Sequence, residues 1–260
     1  MKKILLLFLL NISILSAQEN EIFLMRFHEM EVSGNQSEFI SANKNYFKPL
    51  ASQAIKDKKW AGWQMLQSVT ESNKYVFIHY YNSPKQYETP NNVFSSEVAE
   101  KLGLESPNWD SFEWKTTAPM DVYQVFSVAS GNSQSNYWLK NDYKFNNRQK
   151  FIDNNKLFAE IAVKQMQKDM EGFNHGAAIN LTTSNFEDGE AVSYNGVSFD
   201  GFASLEQLLT FRAYEENPKI NKAWQKTLQK FEKEVEKKGV VDFHKARKTT
   251  VWKLVDEAWN

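Results

Sequence analysis

The feature of this sequence that most constrains its fold is an order of predicted elements that occurs twice. Apolar residues alternate along some segments, which predicts strands, and recur every three to four residues along others, which predicts helices. Residues 21–118 give the order β-α-β-β-α-β, and residues 121–256 give the same order again. The sequence therefore predicts two tandem α+β units. The alternative is a chance likeness within one α+β domain.

In the first half, the predicted strands are rich in aromatic residues, and the second and third are joined by a short polar link, as a hairpin requires. Pro49 interrupts the first predicted helix and is expected to kink or split it. The predicted strands are EIFLMRFHEM, WAGWQMLQSV, KYVFIHYYN and SFEWKTT, and the two helices run through Phe39 to Ile55 and through Phe94 to Leu102.

In the second half, the predicted strands are DVYQVFSVAS, HGAAINLTTS, AVSYNGVSFD and KTTVWKLVD. Helical periodicity covers residues 147–170 and, after an interruption at Pro218, the face from Trp224 to Val235. The stretch Gly131–Asn146 is expected to be an elaborated loop. Asn195-Gly196 predicts a tight turn that splits its strand, with a bulge as the alternative.

The β-α-β-β-α-β order is that of the ferredoxin-like unit. With its opening strand, its GWQML second strand and its aromatic third strand, the chain resembles the dimeric α/β-barrel superfamily. The resemblance implies two ferredoxin-like units whose antiparallel sheets pack as an intramolecular α/β barrel. That superfamily includes small monooxygenases, haem-handling enzymes and members without known activity, so the resemblance implies no single reaction.

The N-terminal segment predicts export. Lys2 and Lys3 precede an apolar stretch that ends at the small residues Ser16 and Ala17, the pattern of a secretory signal peptide. We expect cleavage after Ala17, then a first unit over residues 18–118 and a second over 119–260. The predicted mature protein is secreted or periplasmic, with no membrane anchor, since no later segment reaches the roughly 18 apolar residues that span a bilayer.

Charge and cysteine content exclude several classes of function. Loss of the two leader lysines leaves 29 basic against 32 acidic residues, a net charge of −3, which gives no basic excess for nucleic-acid phosphates. The chain has no cysteine, so disulfides, thiolate metal sites and cysteine nucleophiles are excluded. No HExxH motif, Walker loop or GxSxG elbow is present, and we expect no metal site.

The candidate ligand-binding residues lie on the first three predicted strands, where histidines and a cation occur among aromatic residues. His79 shares a strand face with two rings and could act as a base or as a haem ligand; the alternative is a buried structural histidine. We expect His175 to belong to a turn and His244 to a solvated basic loop. The candidates are Arg26, His28, Trp63, Gln64, Phe77, His79 and Tyr81.

Strand alternation predicts that Trp60 and Trp63 lie on opposite faces of their strand, one toward the helices and one toward the barrel interior. The leading hypothesis is an exported protein that binds a small, partly apolar ligand in an aromatic-lined interior, without a cofactor. The alternative is a monooxygenase-like or haem-handling enzyme, with catalytic residues unknown. A purely structural or protein-interaction role is a third hypothesis.

The leader makes a direct prediction. Protein recovered from the periplasm or the medium should begin at Gln18, as read by N-terminal sequencing. The Ala17→Arg variant, which removes the small residue at the cleavage site, should accumulate as the unprocessed chain. Exported protein that still begins at Met1 would contradict the assignment.

Overall fold

The computed structural model describes residues 23–89, 92–117, 121–131, 133–182, 194–213, 218–239 and 246–259. The chain divides into two compact units. Unit 1 comprises Met1–Met65, Tyr75–Pro119 and Asp256–Asn260, and unit 2 comprises Leu66–Lys74 and Met120–Val255.

None of the helices in the described ranges is long and apolar enough to cross a bilayer.

The first half of the chain forms four strands with helices after the first and third. The elements are β1 (Phe23–Gly34), α1 (Gln36–Ala42), a π-helical segment (Asn43–Phe47), α2 (Lys48–Lys56), β2 (Gly62–Ser68), β3 (Lys74–Tyr81), α3 (Pro84–Glu88), α4 (Ser96–Lys101), a 3-10 turn (Trp109–Ser111) and β4 (Phe112–Thr116). The predicted order is confirmed, although the second helical region is two short helices and Phe94 precedes the second of them.

Within the described residues, the second half contains five strands, one more than predicted. The elements are β5 (Val122–Ala129), β6 (Tyr137–Lys144), α5 (Arg148–Phe158), a π-helical segment (Ala159–Val163), α6 (Lys164–Asp169), β7 (Asn174–Asn180), β8 (Gly196–Phe202), α7 (Leu205–Arg212), α8 (Pro218–Lys238) and β9 (Ala246–Trp259). Pro218 starts a helix, where its missing N–H costs nothing.

The strand order identifies each unit as ferredoxin-like. The first four strands follow the order β2-β3-β1-β4, in which the outer strands flank the pair formed by the first and third. In unit 2 the order is β9-β6-β8-β7-β5. Here β6 occupies the position of the opening strand, and β5 is an additional strand paired with β7.

Two predictions about unit 2 are therefore wrong. The stretch 131–146 is not an irregular loop, because Tyr137–Lys144 forms β6, which pairs with both β8 and β9. DVYQVFSVAS is a strand but not the opening strand of the repeat. Residues 140–142 are polar although all three are buried, so the sequence of β6 lacks the apolar alternation that would predict a strand.

The first helical region of each unit contains a π-helical segment of five residues, Asn43–Phe47 in one and Ala159–Val163 in the other. In unit 1 the segment comes directly before Pro49, whose missing N–H breaks the α-helical hydrogen-bond ladder at that point. This is the interruption that Pro49 predicts. In unit 2 no proline explains the segment, and it occurs where an aromatic side chain, Phe158, packs on the sheet.

Asn195-Gly196 does not form the predicted turn. Gly196 is the first residue of β8 and pairs with both Ile179 and Tyr143. A Cβ at Gly196 would lie 2.6 Å from the Phe145 ring and 2.8 Å from the Phe151 ring. The glycine is therefore needed for close approach of buried rings to the backbone and not for a turn.

This contact makes a testable prediction. Gly196→Ala should lower the free energy of unfolding by about 1–3 kcal/mol, because the added methyl overpacks the stacked Phe145–Phe151 pair. Gly176→Ala is the matched control on the neighbouring strand β7, where a Cβ would meet only the Ser127 carbonyl oxygen at 3.8 Å. Urea denaturation of both variants checks the difference, and equal stabilities would contradict it.

Candidate functional site

One face of the unit 1 sheet carries most of the candidate residues. Phe39 of α1 contacts the rings of Tyr75 and Phe77 on β3, so this face of β3 packs against the helices. Alternation along β3 puts His79 and Tyr81 on the same face. Six of the seven candidates lie on this helix-covered face. The sequence predicted a ligand in the barrel interior and left open which face of the sheet lines that interior. The six are Arg26, His28, Trp63, Phe77, His79 and Tyr81.

The polar end of this face is formed by β1 and β3. Arg26 hydrogen-bonds the Tyr81 side chain and is close enough to His79 to affect its protonation. His28 lies farther along β1, where its Nε2 is 2.9 Å from the hydroxyl of Thr116 on β4. A guanidinium, two imidazoles and a phenol are thus brought together by strand pairing.

Burial and positive charge keep both imidazoles neutral. Burial, with smaller contributions from Arg26 and then His28, lowers the pKa of His79 to about 3. The pKa of His28 is also lowered, by burial and then by Arg26. Burial raises the pKa of Tyr81, partly opposed by Arg26. At neutral pH this end of the face therefore has one fixed cation beside uncharged groups.

The apolar part of the face is made of stacked rings. Trp63 stacks on Phe77, with centroids 5.7 Å apart, and Trp60 stacks on His79 at 4.4 Å. Both tryptophans therefore contact rings of the same face. The prediction that they lie on opposite faces is wrong, because β2 begins at Gly62 and strand alternation does not extend back to Trp60.

Three buried ring nitrogens on this face have no hydrogen-bond partner among the described residues: Trp60 Nε1, Trp63 Nε1 and His79 Nε2. Each such group costs about 1–3 kcal/mol when it loses water without gaining a partner. Three together amount to a large fraction of the roughly 5–15 kcal/mol that stabilises a typical domain. A strongly apolar face with unsatisfied polar atoms is typical of a binding site.

Gln64, the seventh candidate, lies on the opposite face and belongs to a different network. Its side chain accepts a hydrogen bond from Tyr80 (2.6 Å) and donates one to Glu257 (3.0 Å), which also accepts from Trp259 Nε1 (2.9 Å). Burial, with the Glu257 charge, strongly raises the pKa of Tyr80. The oxygen and the amide nitrogen of Gln64 both have partners here, which indicates a structural role.

Sequence reasoning missed the margin of the helix-covered face. Phe94, Trp109 and Trp114 are about two-fifths exposed, at 41%, 40% and 44%. All three contact the ring of Phe47, and Phe94 also contacts Trp60. An aromatic surface therefore continues from solvent to the buried rings. The sequence signal that could have indicated this surface is the high density of aromatic residues in SFEWKTT and in the residues just before it.

The remaining histidines differ from expectation or are outside the described residues. His175 was expected in a turn, but it lies in β7, is only 3% exposed and pairs with Asp200. The expectation was wrong because the strand begins one residue before it, at Asn174. His244 and its basic run are outside the described residues.

Within the described part of the chain, no three His, Asp or Glu side chains converge in a way that could hold a metal ion.

Comparison with known proteins gives a likeness of fold. No family model matches the sequence. No curated protein matches it either. Among solved structures, a "putative monooxygenase" from Fusobacterium nucleatum subsp. nucleatum ATCC 25586 aligns with a TM-score of 0.53 and 10% identity, over 93% of this chain and 96% of the other. A "putative monooxygenase" from Lactobacillus acidophilus NCFM gives 0.52 and 11%, over 92% and 97%.

The chain shares its α+β fold with these two structures. The predicted fold class, α+β with two tandem ferredoxin-like units, is confirmed. At 10–11% identity the likeness concerns the fold alone, and it transfers neither a reaction nor a site.

The low pKa of His79 predicts a pH dependence of stability. The unfolded chain protonates this histidine near its ordinary pKa of 6.5, whereas the folded protein keeps it neutral down to about pH 3. The unfolded state thus binds more protons in this window, so stability falls as the pH is lowered through it, by up to about 1.4 kcal/mol per pH unit.

His79→Phe keeps the ring stacked on Trp60 and removes the titrating group. Between pH 7 and pH 4.5 the unmodified protein should lose about 2–3 kcal/mol more unfolding free energy than the variant. Urea denaturation at the two pH values measures the difference. Parallel losses in both proteins would mean that His79 titrates normally.

Proposed function

We propose that this protein binds a small, planar, partly apolar molecule on the helix-covered face of unit 1. We call this the aromatic site and define it by Trp60, Trp63, Phe77, His79 and Arg26. The observation that carries the proposal is a group of three buried ring nitrogens that have no hydrogen-bond partner in the described ranges. They lie among stacked aromatic side chains, with Arg26 nearby.

The donor pattern favours a ligand with an anionic or hydrogen-bond-accepting group. Indole Nε1–H groups and the guanidinium only donate, so Trp60, Trp63 and Arg26 all favour an acceptor. Arg26 adds a fixed positive charge, which would attract a carboxylate or phenolate. The flat rings of Trp63 and Phe77 would provide apolar area for the rest of the molecule.

The half-exposed rings provide a route for this ligand. Phe94 touches both Trp60 and His79 while remaining 41% exposed, so rotation of one side chain would open the buried stack to solvent. Trp109 and Trp114 would receive the apolar part of the ligand first. Exposed rings in contact with a buried polar group are a common arrangement in binding sites.

Oxygen-consuming chemistry without a cofactor is the second candidate function. His79 is neutral at pH 7, and its Nε2 has no partner among the described residues, so it could accept a proton from a weakly acidic ligand. The anion formed would be stabilised by Arg26 and would itself raise the pKa of His79. The names of the two aligned monooxygenases are consistent with this candidate.

Haem does not fit at His79. Iron would have to reach Nε2 in the plane of the ring, but this nitrogen is buried and the rings of Trp60 and Phe94 pack against the imidazole, so the described residues leave no open coordination position beside it. Ligating histidines almost always donate their second N–H to a carboxylate, carbonyl or water, and the described residues provide no hydrogen bond to His79. We therefore derive no reaction step through haem at this position.

We also propose that the protein is exported and that its two units arose by duplication. The leader sequence supports export, and its residues are outside those that the structure describes. The repeated strand order and the matched π-helical segments support duplication. The expected partner is a small molecule and not nucleic acid.

The aromatic site predicts a preference for an anionic aromatic probe. Naphthalene-2-carboxylate should bind the mature protein more tightly than the uncharged naphthalene-2-carboxamide, as measured by calorimetry. Arg26→Gln should abolish this preference. Trp63→Phe, which keeps a ring but loses the N–H, should weaken carboxylate binding by about threefold to tenfold.

Tyr80→Phe is the matched control on the opposite face of β3, because it removes the bond to Gln64 without touching the aromatic site. Its affinity for the carboxylate should be unchanged. Absence of binding by the unmodified protein, or equal weakening by Tyr80→Phe and Trp63→Phe, would contradict the proposed site.

The geometry at His79 also predicts the outcome of haem reconstitution. Added haemin should give the same absorption spectrum with the unmodified protein and with His79→Ala, because Nε2 of His79 is buried and iron cannot reach it. A Soret band that depends on His79 would overturn the exclusion of haem at this residue.

A further inference from the structure

Unit 2 contains a buried imidazole–carboxylate pair that the aromatic site does not use. His175 on β7 and Asp200 on β8 face each other across the strand pairing. Nδ1 of His175 lies 2.8 Å from Oδ1 of Asp200. His175 is 3% exposed and Asp200 is 8% exposed, so the pair is almost fully removed from water.

The carboxylate of this pair is held by a second hydrogen bond. Asn141 on β6 donates to Oδ2 of Asp200 over 3.1 Å, and its own side-chain oxygen accepts from the hydroxyl of Thr249 on β9, at 2.9 Å. Four adjacent strands thus contribute to one polar chain. Because both carboxylate oxygens have partners, Asp200 is fixed in position relative to His175.

This arrangement determines which nitrogen of His175 presents a lone pair. A carboxylate only accepts hydrogen bonds, so the proton of the neutral imidazole resides on Nδ1 and Nε2 is an acceptor; the inference concerns this neutral form of the ring. Nε2 is buried and has no hydrogen-bond partner in the part of the chain that the structure describes. Leaving a buried acceptor unsatisfied is costly, and a ligand that donates a hydrogen bond to it would recover that cost.

The ring of His175 packs against Phe158, which belongs to a cluster of aromatic side chains from two helices. Phe158, the last residue of α5, meets the His175 ring edge to face at 5.3 Å and contacts Trp224 and Phe231 of α8. The π-helical segment begins directly after Phe158, and such segments often occur at functional sites. Nε2 of His175 is thus a buried hydrogen-bond acceptor on an imidazole that packs against a cluster of aromatic side chains.

We infer that unit 2 has a second binding site, formed by His175, Asp200 and Phe158, for a small aromatic molecule that donates a hydrogen bond. Its polarity is opposite to that of the aromatic site in unit 1, where tryptophan N–H groups and Arg26 all donate. The two sites therefore select different ligands: an acceptor or anion in unit 1, and a hydroxyl or ring N–H in unit 2.

Indole and N-methylindole test this inference, since they have nearly the same shape and only indole has an N–H. Indole should bind the full mature protein about threefold to tenfold more tightly, the value of one hydrogen bond. In ¹⁵N-detected NMR of the histidine rings, indole should shift the Nε2 signal that His175→Gln removes. N-methylindole should leave that signal unchanged.

Asp200→Asn provides a second variant that preserves shape. The asparagine amide can donate to Nδ1, which moves the imidazole proton to Nε2 and turns the acceptor into a donor. The preference for indole should disappear in this variant. Trp63→Phe in unit 1 should leave it intact, so that failure of the aromatic site and failure of this site are distinguishable.

Three results would overturn the inference. The first is equal binding of the two probes by the unmodified protein. The second is an Nε2 signal that already reports a hydrogen bond without ligand and does not change with indole, which would identify a buried water as the partner. The third is a Soret band with haemin that His175→Gln abolishes, which would make the lone pair an iron ligand.

Discussion

The structure depends on one layer in each unit, where helices cover one face of an antiparallel sheet. In unit 1 this layer is made of rings, with Phe39 and Phe47 of the helical region packed on strand residues such as Phe77. Water has little access to such a layer, so every polar atom within it must find a partner in the protein or remain unsatisfied. The distribution of these unsatisfied atoms is the strongest functional information in the molecule.

The two units treat this constraint differently. In unit 1 the unsatisfied groups include the indole N–H donors of Trp60 and Trp63, and the guanidinium of Arg26 lies nearby. On the opposite face, both polar atoms of the Gln64 side chain have hydrogen-bond partners. In unit 2 both carboxylate oxygens of Asp200 have hydrogen-bond partners, whereas Nε2 of His175 has none among the residues that the structure describes. Two units with similar strand order thus have chemically distinct helix-covered layers.

Much of the fold could be predicted because helix and strand periodicities are local properties of sequence. β6 could not, because Lys140, Asn141 and Asp142 are polar and yet buried, and burial of polar residues depends on partners from distant strands. Alternation placed Arg26 with His28 on one face of β1, and His79 with Tyr81 on one face of β3, but the pairing of β1 with β3 that brings the two sets together was not predicted. The sequence did not predict which face of the sheet they occupy, because alternation divides the residues of a strand between two faces without indicating which face the helices cover.

Prediction misplaced Trp60 and His175 for the same reason: contacts with distant parts of the chain determine their surroundings. Trp60 lies just outside a strand, so its direction is set by stacking on His79 and not by the pleat. His175 gains its significance from Asp200, which is 25 residues away and becomes its neighbour only through strand pairing. Sequence spacing carries little information about such pairs, because the register of two strands fixes them.

The additional strand β5 has a consequence for how copies of this protein behave toward one another. In a four-stranded ferredoxin-like sheet, β7 would be an outer strand with unpaired backbone groups that could recruit a strand from another chain. Pairing from Tyr123 to Ala129 occupies those groups, and the irregularity between Val125 and Ser127 turns Phe126 onto the Phe151 ring. A segment outside the repeat thus lowers the tendency of β7 to join edge to edge with another copy and form fibres.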